Sequence, residues 1–305
     1  MRDEPAVLRS LLFVPGNKEN MLAKALGTAP DALVPDMEDS VPDAEKAAAR
    51  ATVRAFLPRL AAAGPLLIPR VNSLETPWIE EDLEAVVDPH VFAVSVGKIR
   101  SPEDITRISG LIAALERQRG LPEGRIGLLP WIETAEAIVR CHEILTADAR
   151  VIAAAFGAED YTHDMGIERL DDEAHLDYPR SVLAVAARAA RIPALDTPYF
   201  KLRDPKGLAA NALRAKRLGF KGKFAIHPEQ IEALNAAFAP SPAEIADAER
   251  IVAAFEEAER AGRGSTSLDG RVIDVPVVKR ARAVLRIAGR ERDRNALAGT
   301  ERCGA

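Results

Sequence analysis

Charged residues recur at one kind of place in this chain, directly after short apolar runs. Asp36, Glu38 and Asp39 follow the run 31–35, Arg70 lies near the end of 66–71, and Lys98 follows 91–96. Glu133 follows 125–132, and Asp160 follows 151–156. Glu133 and Asp160 come from successive runs. Two hard oxygen donors of this kind suit Mg²⁺, which takes one or two carboxylates and leaves its other positions to water and substrate. Zinc suits the site less, because no His or Cys cluster lies nearby. The planar guanidinium of Arg70 can hold a carboxylate through two parallel hydrogen bonds, which Lys cannot do as well. Plainer roles compete at each position. Glu133 can serve as a rim partner of Lys98, and Arg70 as a partner of Asp36 or Glu38. His227, ahead of Pro228, reads as a packed, hydrogen-bonded residue, and His163 as a loop residue past Asp160. Met37 and Met165 read as packing. Strand ends are often polar because the chain surfaces there. Acids meeting cations at five successive run ends nevertheless point to a metal and anion site.

Such residues meet only if the runs are neighbouring strands of one sheet. The apolar runs are 10–14, 31–35, 66–71, 91–96, 125–132, 151–156, a weaker 192–195, and 222–226. Amphipathic helical patterns lie between them, the longest over 43–63. Continuous apolar strands separated by helices predict a parallel sheet covered on both faces. Eight repeats within roughly 230 residues suit a (β/α)₈ TIM barrel, whose strand C-termini converge on one rim. An open doubly wound sheet is the alternative, but Pro15-Gly16-Asn17 is only a turn and not a dinucleotide fingerprint.

The barrel is expected over 1–235 and a C-terminal helical extension over 236–305. A helix is expected over 231–238, across that boundary, then a break over 239–242, with Ser241 capping a helix over 243–261. A flexible link over 262–265, a helix over 277–288 and a frayed polar tail over 289–305 complete the reading.

The chain has 305 residues and is 48% hydrophobic, enough for a sizeable core. A net charge of −5 gives no broad cationic field for nucleic acid or an anionic membrane surface. An anionic ligand must therefore be met by local Arg or Lys. Cys141 and Cys303 form neither a disulfide framework nor a zinc site, and a reducing cytoplasm is expected. Residues 1–7 lack an apolar h-region, so no secretory signal is expected. No run reaches the roughly 18 apolar residues of a membrane span.

Arg9-Ser10-Leu11-Leu12-Phe13-Val14-Pro15-Gly16 resembles the opening motif of the citrate lyase β-subunit family, part of the HpcH/HpaI aldolase superfamily that also holds malyl-CoA lyases. Asp36-Met37-Glu38-Asp39-Ser40-Val41, Arg70-Val71-Asn72 and Phe156-Gly157-Ala158-Glu159-Asp160 are similar to its later motifs. So are Gly219-Phe220-Lys221-Gly222-Lys223, Ile226-His227-Pro228, and Asp269-Gly270-Arg271-Val272-Ile273-Asp274-Val275-Pro276. The resemblance implies a barrel with a C-terminal lid, assembled as a homotrimer. It places the metal ligands on Glu133 and Asp160, the oxo-acid arginine on Arg70, and a lid aspartate, supplied to a neighbouring subunit, on Asp274. One departure is that the fourth strand usually ends in Pro-Lys, where this chain has Gly97-Lys98.

The activity implied is a Mg²⁺-dependent carbon–carbon lyase. It would interconvert a malyl-, citramalyl- or citryl-type CoA thioester with a 2-oxo acid and an acyl-CoA. Loop N–H groups of Gly157, Ala158 and Glu159 would add donors to the oxo acid, and Asp274 would move the proton. Asp36, Glu38, Asp39 and Lys98 complete the rim. Alternatives are a malyl-CoA-type thioesterase, an aldolase of 4-hydroxy-2-oxo acids without CoA, and a non-catalytic subunit binding an acyl thioester. Arg9, Lys18 and Lys24 are candidates for the CoA phosphates, although surface solvation explains each as well.

Overall fold

A computed structural model describes residues 6–302, with side chains to residue 289. Residues 1–5, Cys303 and the last residues of the expected tail lie outside the described residues. The chain divides into two compact units, 1–238 and 239–305.

The first unit is a closed parallel barrel. Its strands are β1 (Ser10–Pro15), β2 (Ala32–Asp36), β3 (Leu66–Leu67), β4 (Arg70–Val71), β5 (Ala93–Val96), β6 (Gly127–Ile132), β7 (Ala154–Phe156), β8 (Ala194–Asp196) and β9 (Gly222–Ala225). β3 and β4 are two pieces of one barrel strand. Leu67 pairs with Leu33 and Arg70 with Asp36, both on β2. Pro69 interrupts the run because it has no N–H to give, but its carbonyl still accepts from the Ser95 N–H at 2.8 Å. The eight strands therefore match the eight apolar runs. β1 pairs with both β2 and β9, which closes the sheet and rules out the open doubly wound form.

Alternation along each strand builds two layers. Leu11, Val34, Ile68, Leu129, Trp131, Leu195 and Phe224 fill the barrel interior. Leu12, Leu33, Val94, Leu128 and Phe156 face the surrounding helices. Both faces are buried, which is why the strands read as unbroken apolar runs. The Phe13 and Phe224 rings stack at 5.0 Å, and Trp131 sits 4.5 Å from Phe224. The Trp131 Nε1 donates to Ser95 Oγ at 2.8 Å, so its polar edge is satisfied inside the barrel.

The second unit holds the helix Pro242–Arg260, capped by Ser241 and Glu244 as a reciprocal box. A hairpin of β10 (Thr266–Leu268) and β11 (Arg271–Ile273) follows. Its turn residues Asp269 and Gly270 have φ of 49° and 74°, as a two-residue turn of the primed type requires. Phe255, Ile273 and Val278 form a small core. The last helix, Val275–Arg302, runs well past the expected end at 288. The expected frayed tail is helical through Arg302, because Arg, Glu, Ala and Leu are strong helix formers however polar the segment. Among the described residues no helix is long and apolar enough to cross a membrane.

Candidate functional site

The C-terminal ends of β2, β4, β5, β6 and β7 bring the predicted rim residues together. Arg70 organises one half. Its Nε donates to Asp36 Oδ1 and its Nη2 to Asp36 Oδ2, both at 2.7 Å. Nη1 reaches Asp39 Oδ2 at 3.0 Å and Glu38 Oε2 at 3.1 Å. The plainer reading of Arg70, as a partner of Asp36 and Glu38, is thus part of its geometry. The guanidinium also lies over Phe13 at 4.7 Å and Trp131 at 5.9 Å. This aromatic floor carries no mark in the sequence, where both residues read as ordinary strand positions.

Lys98 joins the two halves. Its Nζ donates to Glu38 Oε1 at 3.1 Å and Asp39 Oδ1 at 3.5 Å. Its backbone N–H donates to Glu133 Oε1 at 2.5 Å. Lys98 has φ of 56°, a left-handed conformation costly for a side-chain-bearing residue and concentrated at functional sites. The expected Lys98–Glu133 contact exists, but through the backbone. A Cβ on Gly97 would lie 2.8 Å from Glu38 Oε1 and 3.1 Å from Glu133 Oε1. The Gly97-Lys98 pair therefore lets two carboxylates converge on one point of backbone.

Glu133 is buried and turned toward β7, where a Cβ on Gly157 would overlap its Oε2. Ile132 and Phe156 are paired in the sheet, so Gly157 is the direct neighbour of Glu133. Asp160 follows in the first turn of the helix Ala158–Asp164. Burial, then the charge of Asp160, then that of Glu38, push the Glu133 carboxyl up to about 8. Burial likewise raises Glu38 and Asp160 despite Arg70 and Lys98. Asp36 moves the other way: burial would raise it, but the bidentate Arg70 holds it below the usual carboxylate range. Arg70 and Lys98 are both raised, because the surrounding carboxylates outweigh their own burial.

Carboxylates outnumber cations on this rim. Acids that repel one another in a partly dry site are what a divalent cation would relieve. Glu133 and Asp160 fit Mg²⁺ in donor type and in following the neighbouring strands β6 and β7. Among the described residues no group of three or more His, Cys, Asp or Glu is arranged to hold a metal by itself. A cation here would complete its shell with water and substrate oxygens.

Other expected residues fall elsewhere. The Gly157 N–H is committed to Ile132 O at 3.2 Å, so it is not a free donor. The Ala158 N–H faces Thr197 Oγ1 at 3.5 Å, and the Glu159 side chain pairs with Arg169. Arg9 binds Asp31, ahead of β2, through Nε at 2.9 Å. His227 is not packed: its side chain is 43% exposed and its Nδ1 accepts from the Glu229 N–H at 3.3 Å. Met37 is fully buried, whereas Met165 is exposed. Asp274 lies in the second unit, between β11 and the last helix. Its Oδ1 accepts from the Val277 N–H at 3.2 Å and so caps that helix.

A model of the HpcH/HpaI aldolase/citrate lyase family matches residues 9–228. Over 280 residues the chain is 37% identical to the citrate lyase subunit beta of Leuconostoc mesenteroides subsp. cremoris, covering 92% of this chain and 93% of that one. It is 35% identical over 277 residues to a (3S)-malyl-CoA thioesterase of Cereibacter sphaeroides, covering 91% and 93%. The crystal structure of protein CitE from Mycobacterium tuberculosis in complex with magnesium, acetoacetate and coenzyme A aligns with a TM-score of 0.76 at 29% identity, over 95% of this chain and 100% of that chain. By motif, by full-length similarity and by barrel, this chain belongs to the HpcH/HpaI aldolase/citrate lyase family.

Proposed function

We propose that this protein is a Mg²⁺-dependent carbon–carbon lyase that cleaves or forms a malyl-, citramalyl- or citryl-type CoA thioester, with a 2-oxo acid and an acyl-CoA as the other side of the reaction. One observation carries it: Glu133 after β6 and Asp160 after β7 are close enough that the charge of Asp160 raises Glu133, and Arg70 is close enough to act on Asp160 in the opposite sense. The Mycobacterium tuberculosis relative holds magnesium and coenzyme A, which supports the same ligands here.

Glu133 and Asp160 would hold the ion. When bound, it supplies Lewis-acid polarisation of the oxo group. Arg70 offsets negative charge growing on the oxo oxygen, and its aromatic floor keeps water from its under-face. The N–H of Glu159, in the first turn of its helix, adds a donor. In the condensing direction the Asp274 carboxylate, from the C-terminal unit of a second copy in a homotrimer, takes a proton from the carbon next to the thioester. The C–H electron pair becomes an enolate and forms the new C–C bond to the oxo carbon, whose oxygen ends as a hydroxyl after protonation. Cleavage is the reverse: the hydroxyl loses its proton, the C–C bond breaks, and Asp274 returns a proton to carbon. Asp36, Glu38, Asp39 and Lys98 set the position and charge of Arg70. The proposed setting is the cytoplasm.

The test is a panel of hydroxyacyl-CoA thioesters with and without Mg²⁺, assayed for both 2-oxo acid and free CoA. The expected result is Mg²⁺-dependent 2-oxo acid with CoA still esterified. No turnover of any thioester overturns the reading. Similarity to the (3S)-malyl-CoA thioesterase favours a second reading, in which water adds to the thioester carbonyl and CoA leaves as its thiol while the C–C bond stays intact. Free CoA without 2-oxo acid would select it.

A further inference from the structure

The helix Lys46–Ala62 opens on a cation. A positive charge at a helix N-terminus opposes the helix dipole. Lys46 is also only 4% exposed, so its ammonium has given up most of its hydration. Among the described residues it forms no ion pair with a carboxylate. Its three donors go to uncharged oxygens: Met37 O at 3.0 Å, Glu38 O at 2.8 Å and Asn72 Oδ1 at 2.8 Å. The Trp78 ring lies 5.4 Å away. A residue that breaks two local rules at once, and fills every donor in doing so, belongs with the positions where function outranks stability.

What it grips is specific. Met37 and Glu38 form the turn after β2 that carries the rim acids. Asn72 follows Arg70 by two residues. Its Nδ2 returns to Met37 O at 2.9 Å and also reaches Asp82 Oδ2 at 2.6 Å. One ammonium thus ties together, from below, the two loops whose side chains meet above as the Arg70–Asp36–Glu38–Asp39 cluster.

We propose that Lys46 is a positioning residue for this rim, holding the turn after β2 against the loop after β4 so that Glu38 meets Arg70 and Lys98. It touches no rim side chain itself. The inference rests on the proposed function only in taking this rim as the metal and oxo-acid site. The test is Lys46→Met, which keeps length and burial but removes every donor. In the crystal structure of that variant the Glu38 carboxylate is expected to have moved away from Arg70 by more than 1 Å. Calorimetry is expected to show Mn²⁺ binding weakened at least tenfold in protein that is folded by circular dichroism. kcat falls more than KM changes. An unmoved Glu38 carboxylate overturns the proposal, as does wild-type Mn²⁺ affinity in the variant. If the wild-type protein takes up no Mn²⁺, the metal reading falls, and the crystal structure of the variant still decides Lys46. Should Lys46→Met not fold, Lys46→Arg retains the charge but cannot converge on the same three oxygens. The same displacement of Glu38 is expected there, and its absence overturns the proposal.

Discussion

Two of the charge clusters in this barrel are built on opposite principles. On the rim, Asp36, Glu38, Asp39, Glu133 and Asp160 crowd around Arg70 and Lys98, and burial and mutual repulsion raise Glu38, Glu133 and Asp160. Behind β8 and β9, charges alternate in sign. Arg169 holds Glu173, Arg180 joins Glu173 at 2.7 Å to Asp196 at 2.8 Å, and Lys223 closes on Asp196 at 2.5 Å. Asn211 adds a hydrogen bond to Glu173 at 2.9 Å. There burial is outweighed, and Asp196 and Glu173 are held below the carboxylate range. The same residue types therefore do different work. A matched chain of ion pairs fixes structure, while an unmatched set leaves a deficit of positive charge for a ligand to fill.

The sharpest test of that contrast is a pair of alanine substitutions with opposite consequences. Asp160→Ala removes a repelled carboxylate. Mg²⁺-dependent turnover should fall at least about a hundredfold, since Lewis-acid stabilisation supplies several kcal/mol. The unfolding midpoint of the metal-free protein should stay level or rise, as function-driven strain is relieved. Asp196→Ala strands Lys223 and Arg180 without their shared partner. Breaking a buried pair costs about 3–5 kcal/mol, read as a shift in the urea midpoint at unchanged slope. The kcat of the folded fraction should remain near wild type. If Asp196→Ala left stability intact, or Asp160→Ala unfolded the chain, the two clusters would not differ in kind.

The sequence reveals these clusters unequally. Strand-end acids announce themselves because an apolar run points at them, and a barrel gathers strand ends. The eight strands are legible for the same reason, since both faces are buried. Arg180 lies in the helix Asp177–Ala189 with no role legible in the sequence, yet it is 1% exposed. Lys223 falls inside the strand run 222–226 with nothing to mark its partner, yet it is fully buried. A charge deep in a layer carries no local signal, because its partner is distant in sequence. Glu159 misleads for the complementary reason. Its neighbourhood in sequence is the rim, but its side chain turns to Arg169.

A middle-sized effect is expected from Gly97→Ala. The new methyl would meet Glu38 Oε1 and Glu133 Oε1, both pinned by other hydrogen bonds. The carboxylates must shift by tenths of an ångström, and displaced catalytic groups lose rate steeply. About a tenfold loss in kcat/KM, or ~1.4 kcal/mol, with little change in urea stability, would confirm that the crowding on this rim is arranged for function. Full activity would mean that Glu38 has room to move, and that the rim is looser than its contacts show.

A further effect is one that acid brings out, and it separates the clusters by sign. Glu173 is held down to about 2: burial would raise its carboxyl, but Arg180 and Arg169 outweigh it. In the unfolded chain a glutamate titrates near 4.3. As pH falls below that value, the unfolded state takes up a proton that the folded state still refuses. Stability must then fall, by at most about 1.4 kcal/mol per pH unit for one proton, until the folded carboxyl titrates as well near 2. The stabilisation is thus fully present above about pH 5 and lost progressively below it. Urea unfolding of wild type and Glu173→Gln from pH 7 to pH 2.5 isolates this contribution. Glutamine keeps the shape and an acceptor but cannot titrate. The stability difference between the two proteins should be constant down to about pH 5 and then shrink as Glu173 alone takes up its proton in the unfolded chain. A difference that stayed flat to pH 2.5 would mean that the alternating chain does not depress Glu173, and the division between a matched and an unmatched cluster would lose its electrostatic basis.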